Sequence, residues 1–331
     1  MKIITTEEHV AIPLLAQALR KYPSPDAQHS AAATTPDLPF CPDQALFRDM
    51  GSLRITDMDA HGITRQILSC PLPAQRLPAE EAVSVVRDAN DLLAHAVSQH
   101  PDRFSALAVL PWSAPEAAAE ELTRAVTRLG CKGAILAGRA SGEAAFLDDP
   151  RFSPILEAAQ DLDVPIYMHP SATMRQVQTL YYGGLGDQLS ARLSLFGWGW
   201  HHEAGVQILR MILSGALERY PNLQLIAGHW GEMIPFYLSR LDQALPQKVT
   251  KLRRTITETF AQNVYVTPGG IFEYPQLQFV MQTVGSARLL HAADFPFLEN
   301  DGARRFVEEA PISEAEKAQF AYQNAERLFR L

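Results

Sequence analysis

Cysteine is scarce in this chain: Cys41, Cys70 and Cys131 are the only three among 331 residues. Odd in number, far apart and without CxxC spacing, they argue against a disulfide framework or a thiolate metal knuckle. They predict reduced thiols in a cytoplasmic protein. Basic charge is short as well, with 29 Lys and Arg against 37 Asp and Glu and a net charge of −8. That balance argues against an extended nucleic-acid surface. No apolar run approaches the roughly 20 residues a membrane span needs. The first residues lack the charged leader and apolar stretch of a signal peptide. No GxGxxG turn follows an early strand, so a dinucleotide site has no support.

What the chain does have is a regular alternation of strand and helix patterns, in a sequence that is 47% hydrophobic. Strand 1 occupies about residues 1–9 and is followed by an irregular, Pro-, Ala-, Ser- and Thr-rich insertion with short helices, ending near residue 50. Near-continuous apolar runs at 65–70, 104–112, 132–138, 164–170, 223–229, 263–269 and 288–294 read as seven further strands, of the kind buried on both faces in parallel sheets. Helical spacing marks 79–100, a segment ending at Gly130, 150–162, 202–220, 232–244, 273–284 and 313–329. Eight β–α units predict an α/β fold, a (β/α)8 TIM-like barrel with a long connection after strand 5 and a single domain over 1–331. An open doubly wound sheet is the rival.

In such a barrel the C-terminal ends of the strands meet at one mouth. Strand 1 ends in Glu7 and His9, whose i, i+2 spacing puts both on one face. Three later strands end in His169, His229 and Asp294. Carboxylates and neutral imidazoles gathered in this way suit zinc, manganese or iron. Taken singly, each has a plainer use as a hydrogen-bonded strand end. Glu8, on the face opposite Glu7, reads as solvated or as a helix-cap partner. His201 and His202 lie at a helix start where either could contact substrate, surface positions being the safer reading, and His291 reads as structural.

The ExH near residue 8, PIYMHP at 165–170, AGHWGE at 227–232 and the terminal AADFPF resemble the amidohydrolase superfamily, and most closely its metal-dependent, non-oxidative decarboxylases. The likeness extends to DMDAHGI at 57–63 and YQNAERLFRL at the C-terminus. It implies one divalent ion, zinc or manganese, held by Glu7, His9, His169 and Asp294. His229 is then the catalytic histidine, supported by Glu232. Arg240 matches an arginine that in relatives reaches a neighbouring subunit's site and grips the substrate carboxylate, which implies a homodimer or homotetramer. Its plainer reading is a surface residue on a helix. Arg48 and Arg54 are both candidates for a second carboxylate-binding arginine, and neither is assigned.

The expected activity is decarboxylation of a hydroxylated aromatic or related unsaturated carboxylic acid, with the proton delivered through Asp294 and His229. The same parts also suit a metal-dependent hydrolase of a lactone, amide or ester, or a hydratase. Trp230 and Phe297, adjacent to His229 and Asp294, are candidate walls for a planar ring, together with Phe196, Trp198 and Trp200 on the connection after strand 5. The expected partner is a small carboxylic acid, with no nucleic acid and no membrane.

Overall fold

A computed structural model describes residues 1–26, 40–140 and 145–331. Much of the insertion predicted after strand 1 therefore lies outside the described residues. Seven parallel strands follow in chain order: β1 (Ile4–His9), β2 (Arg65–Ser69), β3 (Phe104–Ala106, resumed after Leu107 as Ala108–Val109), β4 (Ala134–Ala137), β5 (Ile166–His169), β6 (Leu225–Ala227) and β7 (Val264–Val266). Each pairs with the next. An eighth segment, residues 289–295, bridges Val266 through Leu289 and Glu8 through Phe295. Its backbone also takes bonds from Thr6 and His9, so the ring closes on β1.

The barrel interior is visible in its packing. One buried cluster takes Ile4, Ile67, Leu107, Ile135, Tyr167, Ile226, Tyr265 and Leu290, one residue from each of the eight positions, with Ala325 and Phe329 of the last helix beneath them. This layer fills the barrel with bulky side chains. Strand residues of the opposite phase, such as Leu68, Leu136, Met168 and Val266, join the larger core between strands and helices. Burial on both faces is why these strands read as apolar runs.

β1 departs from the alternation. Ile4 and Thr5 pair with Arg65 and Gln66, but Glu8 and His9 pair with Leu68 and Ser69, so β1 carries one extra residue between Thr5 and Glu8. Ile4 points into the barrel, and an unbroken strand would turn Glu8 inward and Glu7 and His9 outward. The bulge reverses that phase and brings Glu7 and His9 into the mouth. Glu8 turns outward yet is fully buried, accepting from the Ala293 N–H at 3.1 Å and from Gln66 Nε2 at 3.3 Å. The expectation that Glu8 is solvated is thus corrected: its side chain is fully enclosed in the barrel wall. Burial pushes its carboxyl up to about 8, against the pull of the Ala293 bond and Arg54.

The helices follow the predicted pattern, with two differences that matter. The long connection after β5 is helical over Asp187–Ser194 and Gly199–Leu213. The helix expected from about 232 starts later, at Leu238, because residues 229–233 form a left-handed turn. No helix among the described residues is long and apolar enough to cross a membrane.

Candidate active site

The left-handed turn is the local event that places His229. His229, Trp230, Gly231, Glu232 and Met233 have φ of 48°, 59°, 83°, 51° and 66°. Such backbone costs an L-residue about 1–2 kcal/mol, so it persists only where neighbours hold it. Here the Trp230 N–H donates to Thr267 O at 2.7 Å, and the Gly231 and Glu232 N–H groups donate to Gly228 O. The turn aims His229 inward beside Asp294, which is itself at φ 60°.

Glu7, His9 and His169 converge, with one ligand atom from each lying within 4.8 Å of the others. Asp294 joins them, its Oδ1 3.1 Å from His9 Nε2. All four are buried, yet Glu7 Oε1 and His9 Nε2 have no hydrogen-bond partner. Unpartnered buried donors and acceptors are costly, and a cation at their common focus would satisfy them. The tautomers agree with that use. His169 Nδ1 lies 2.7 Å from the Pro170 carbonyl and so carries the hydrogen, leaving Nε2 with a free lone pair. His9 Nδ1 rests on Ser69 Oγ at 3.0 Å, a hydroxyl able to accept from Nδ1 and so compatible with the same tautomer. This is the supporting arrangement found behind metal-binding imidazoles. Glu7 Oε2 accepts from Thr267 Oγ1 at 2.9 Å, and the Tyr167 hydroxyl lies 3.3 Å from that same Thr267 oxygen. Two imidazoles and carboxylate oxygens make a donor set that fits a single divalent ion.

Two glycines make room for this geometry. A Cβ on Gly228 would lie 2.9 Å from Glu7 Oε1, and one on Gly269 would lie 2.6 Å from His229 Cδ2.

His229 faces this group from the side, its Nε2 3.8 Å from Glu7 Oε1 and 3.9 Å from Asp294 Oδ2. Its Nδ1 lies 2.8 Å from Glu232 Oε1. Burial alone would lower the imidazole's pKa, but Glu7, Glu232 and Asp294 outweigh it and hold the ring well above its usual value. Burial likewise works against the Asp294 carboxylate, yet the neighbouring His229 and His9 imidazoles bring it down to about 2.

Aromatic rings line the approach. Phe297 lies edge-on to His9 at 5.5 Å and to Phe47 at 5.2 Å. Phe40 stacks on Phe196 at 4.5 Å, and Trp200 sits 6.4 Å from His169. Trp198 is half exposed outside this group.

Some expectations need correction. Trp230 is not a mouth residue, because the left-handed turn swings its indole into the outer core, against Phe306 and with Nε1 bonded to Ile271 O. Arg54 is sealed into the wall on His9 O and Gln66 Oε1, so it is not open to a substrate. Arg240 is exposed on the helix Leu238–Ala244, outside this chain's own cluster of site residues. His201 is no surface residue: its Nδ1 lies 2.9 Å from Glu232 Oε2. Tyr167 is a site neighbour absent from the sequence candidates, although its place two residues before His169 in one strand puts both on the inner face.

The model of the amidohydrolase family matches residues 50–331. The chain belongs to that family. It is 33% identical to a γ-resorcylate decarboxylase of Rhodococcus jostii over 99% of this chain and 98% of the relative. Among solved structures it resembles a 5-carboxyvanillate decarboxylase from Sphingomonas paucimobilis, with TM-score 0.89, 30% identity and coverage of 100% and 99% of the two chains. It also resembles a dihydroxybenzoic acid decarboxylase from Polaromonas sp. JS666 holding manganese and the inhibitor 2-nitroresorcinol, with TM-score 0.85, 32% identity and coverage of 100% and 97%. The likeness in fold extends over the whole of this chain in both solved structures.

Proposed function

We propose that this protein is a metal-dependent, non-oxidative decarboxylase of an aromatic acid with a hydroxyl group beside the carboxylate. The observation that carries the reading is the pair of unpartnered buried ligand atoms, Glu7 Oε1 and His9 Nε2, placed next to His229 under a cover of aromatic rings. Glu7, His9, His169 and Asp294 would hold one manganese or zinc ion. That ion, when bound, supplies Lewis-acid stabilisation of negative charge on substrate oxygens.

This chain's residues supply the rest. Phe297 and Trp200 bracket a planar ring and keep water from it. His229 Nε2 carries a proton towards the mouth, close to Asp294 Oδ2, while Glu232 fixes the ring through Nδ1. Transfer of that proton to the ring carbon bearing the carboxylate breaks aromaticity. The C–C bond then cleaves, its electrons restore the ring, and CO2 departs. Arg240 would reach the site of a second subunit and pair with the substrate carboxylate, making the enzyme a homodimer or larger. The whole chain, 1–331, acts as one catalytic domain in the cytoplasm.

The test is a panel. Manganese- or zinc-loaded protein is offered γ-resorcylate, 5-carboxyvanillate and simple lactones, with CO2 and phenol followed in one arm and ring opening in the other. CO2 with an equal amount of the decarboxylated acid, resorcinol or vanillate, is the expected result. Lactone hydrolysis without CO2 would replace this reading with that of a hydrolase.

A further inference from the structure

His201 stands on the helix Gly199–Leu213 at the end of the aromatic connection, and its ring nitrogens are engaged by Glu232, Trp200 and Phe196. Its Nδ1 lies 2.9 Å from Glu232 Oε2, while the other oxygen of the same carboxylate, Oε1, lies 2.8 Å from His229 Nδ1. The two imidazole rings approach to 4.4 Å. Glu232 is therefore a buried carboxylate spanned by two rings, both of its oxygens used.

The other side of His201 ties it to the mouth. Trp200 Nε1 donates to His201 Nε2 at 3.1 Å, and Phe196 O lies 3.0 Å from the same nitrogen. If Nε2 accepts from the indole, Nδ1 must carry the hydrogen. The Glu232 carboxylate oxygen 2.9 Å from Nδ1 can only accept, so this contact is a hydrogen bond with the hydrogen on Nδ1. In that tautomer His201 donates to Glu232 and accepts from the indole. The three residues are also close enough together to suggest a cation site, but their facing atoms are spent on one another in hydrogen bonds of 2.8 and 2.9 Å.

The geometry points to His201 as a positioning residue for the reaction. It locks the rotation of Glu232, so that Oε1 stays on His229 Nδ1 and His229 Nε2 stays aimed at the substrate. Through Trp200 and Phe196 it links that alignment to the aromatic cover. Without His201, Glu232 Oε2 is a buried acceptor with no donor, and the carboxylate is free to turn away from His229. The inference rests on the decarboxylase reading for its kinetic arm only.

The chemistry of the substituents separates positioning from mere packing. An Asn side chain places its amide nitrogen where Nδ1 was and still donates to Glu232. A Gln side chain reaches the Nε2 position, towards Trp200 and Phe196, and leaves Glu232 unpartnered. His201→Ala and His201→Gln are expected to lower kcat on γ-resorcylate by roughly 10–100-fold, with KM and bound metal unchanged. His201→Asn is expected to recover most of that loss. A second readout does not need turnover: the downfield imidazole N–H resonance of His229 in zinc-loaded protein should persist in His201→Asn and broaden away in His201→Gln. Equal kcat and an equal resonance in the Asn and Gln variants would overturn the assignment, even if His201→Ala does not fold. If the wild-type protein releases no CO2 from any acid, the decarboxylase reading fails, and the resonance still decides the role of His201.

Discussion

Glu7 and Glu8 are consecutive, and both are buried, yet one faces the barrel mouth and the other the barrel wall. The extra residue in β1 makes the difference. It turns Glu7 and His9 towards His169 and leaves Glu8 on Gln66 and the Ala293 N–H. A carboxylate in the wall and a carboxylate at the metal focus are thus assigned by backbone register and not by residue type.

Asp294 and His229 should separate by their variants. Asp294→Asn removes a proposed ligand together with the charge that faces His229, and turnover should be lost. His229→Asn removes the proton carrier alone, so kcat should fall by roughly 10²–10⁴-fold while metal content stays near normal. Elemental analysis beside single-substrate kinetics checks both. A parallel fall of metal and activity in His229→Asn would put that histidine among the ligands.

The two close-packed glycines should fail in different ways. The Cβ of Gly228→Ala would press on Glu7 Oε1 and the Tyr167 hydroxyl, and metal affinity should fall by roughly 10–100-fold. The Cβ of Gly269→Ala would press on the His229 ring, at a backbone φ of +52° that already disfavours a side chain. There kcat should fall with little change in metal content. Metal titration of both purified variants distinguishes the two outcomes.

Trp230 and Phe297 should part as stability and binding residues. Trp230→Phe loses the bond to Ile271 O inside the core and should cost about 1–3 kcal/mol of stability with KM unchanged. Phe297→Ala opens the wall beside His9 and should raise KM for an aromatic acid. Thermal melts and steady-state kinetics on the pair test this.

The strand ends were readable because a parallel barrel imposes one rule on every strand: Glu7, His9, His169, His229 and Asp294 each close an apolar run, and closure of the ring brings those ends together. The i, i+2 spacing of Glu7 and His9 gave their common face, but only the bulge decides which face that is, and nothing in TTEEH announces it. Trp230 was misplaced for a related reason. Adjacency to His229 means nearness in an extended strand, whereas a left-handed turn sends neighbouring side chains to different layers. His201 lies 28 residues from His229 on a separate helix, and helical spacing alone does not show that Gly199–Leu213 meets this turn.

Glu203 gives a pH dependence with a defined sign. Burial pushes its carboxyl up to about 7, against the pull of Arg139, whose Nε is 3.4 Å away. The folded state thus holds the proton more tightly than the unfolded chain does. Its stabilising effect is complete below the unfolded value of 4.5 and is lost as pH rises towards 7, by up to about 3 kcal/mol. Glu203→Gln, which stays neutral, should flatten the fall in Tm between pH 5 and 8, within roughly that range. An unchanged slope in that variant would remove Glu203 as its source.

The most direct measurement is CO2 release from γ-resorcylate before and after removal of bound metal. Metal-loaded protein should release CO2 and resorcinol in equal amounts, lose that activity on chelation, and regain it with manganese or zinc. Decarboxylation that survives complete removal of the metal would contradict the account.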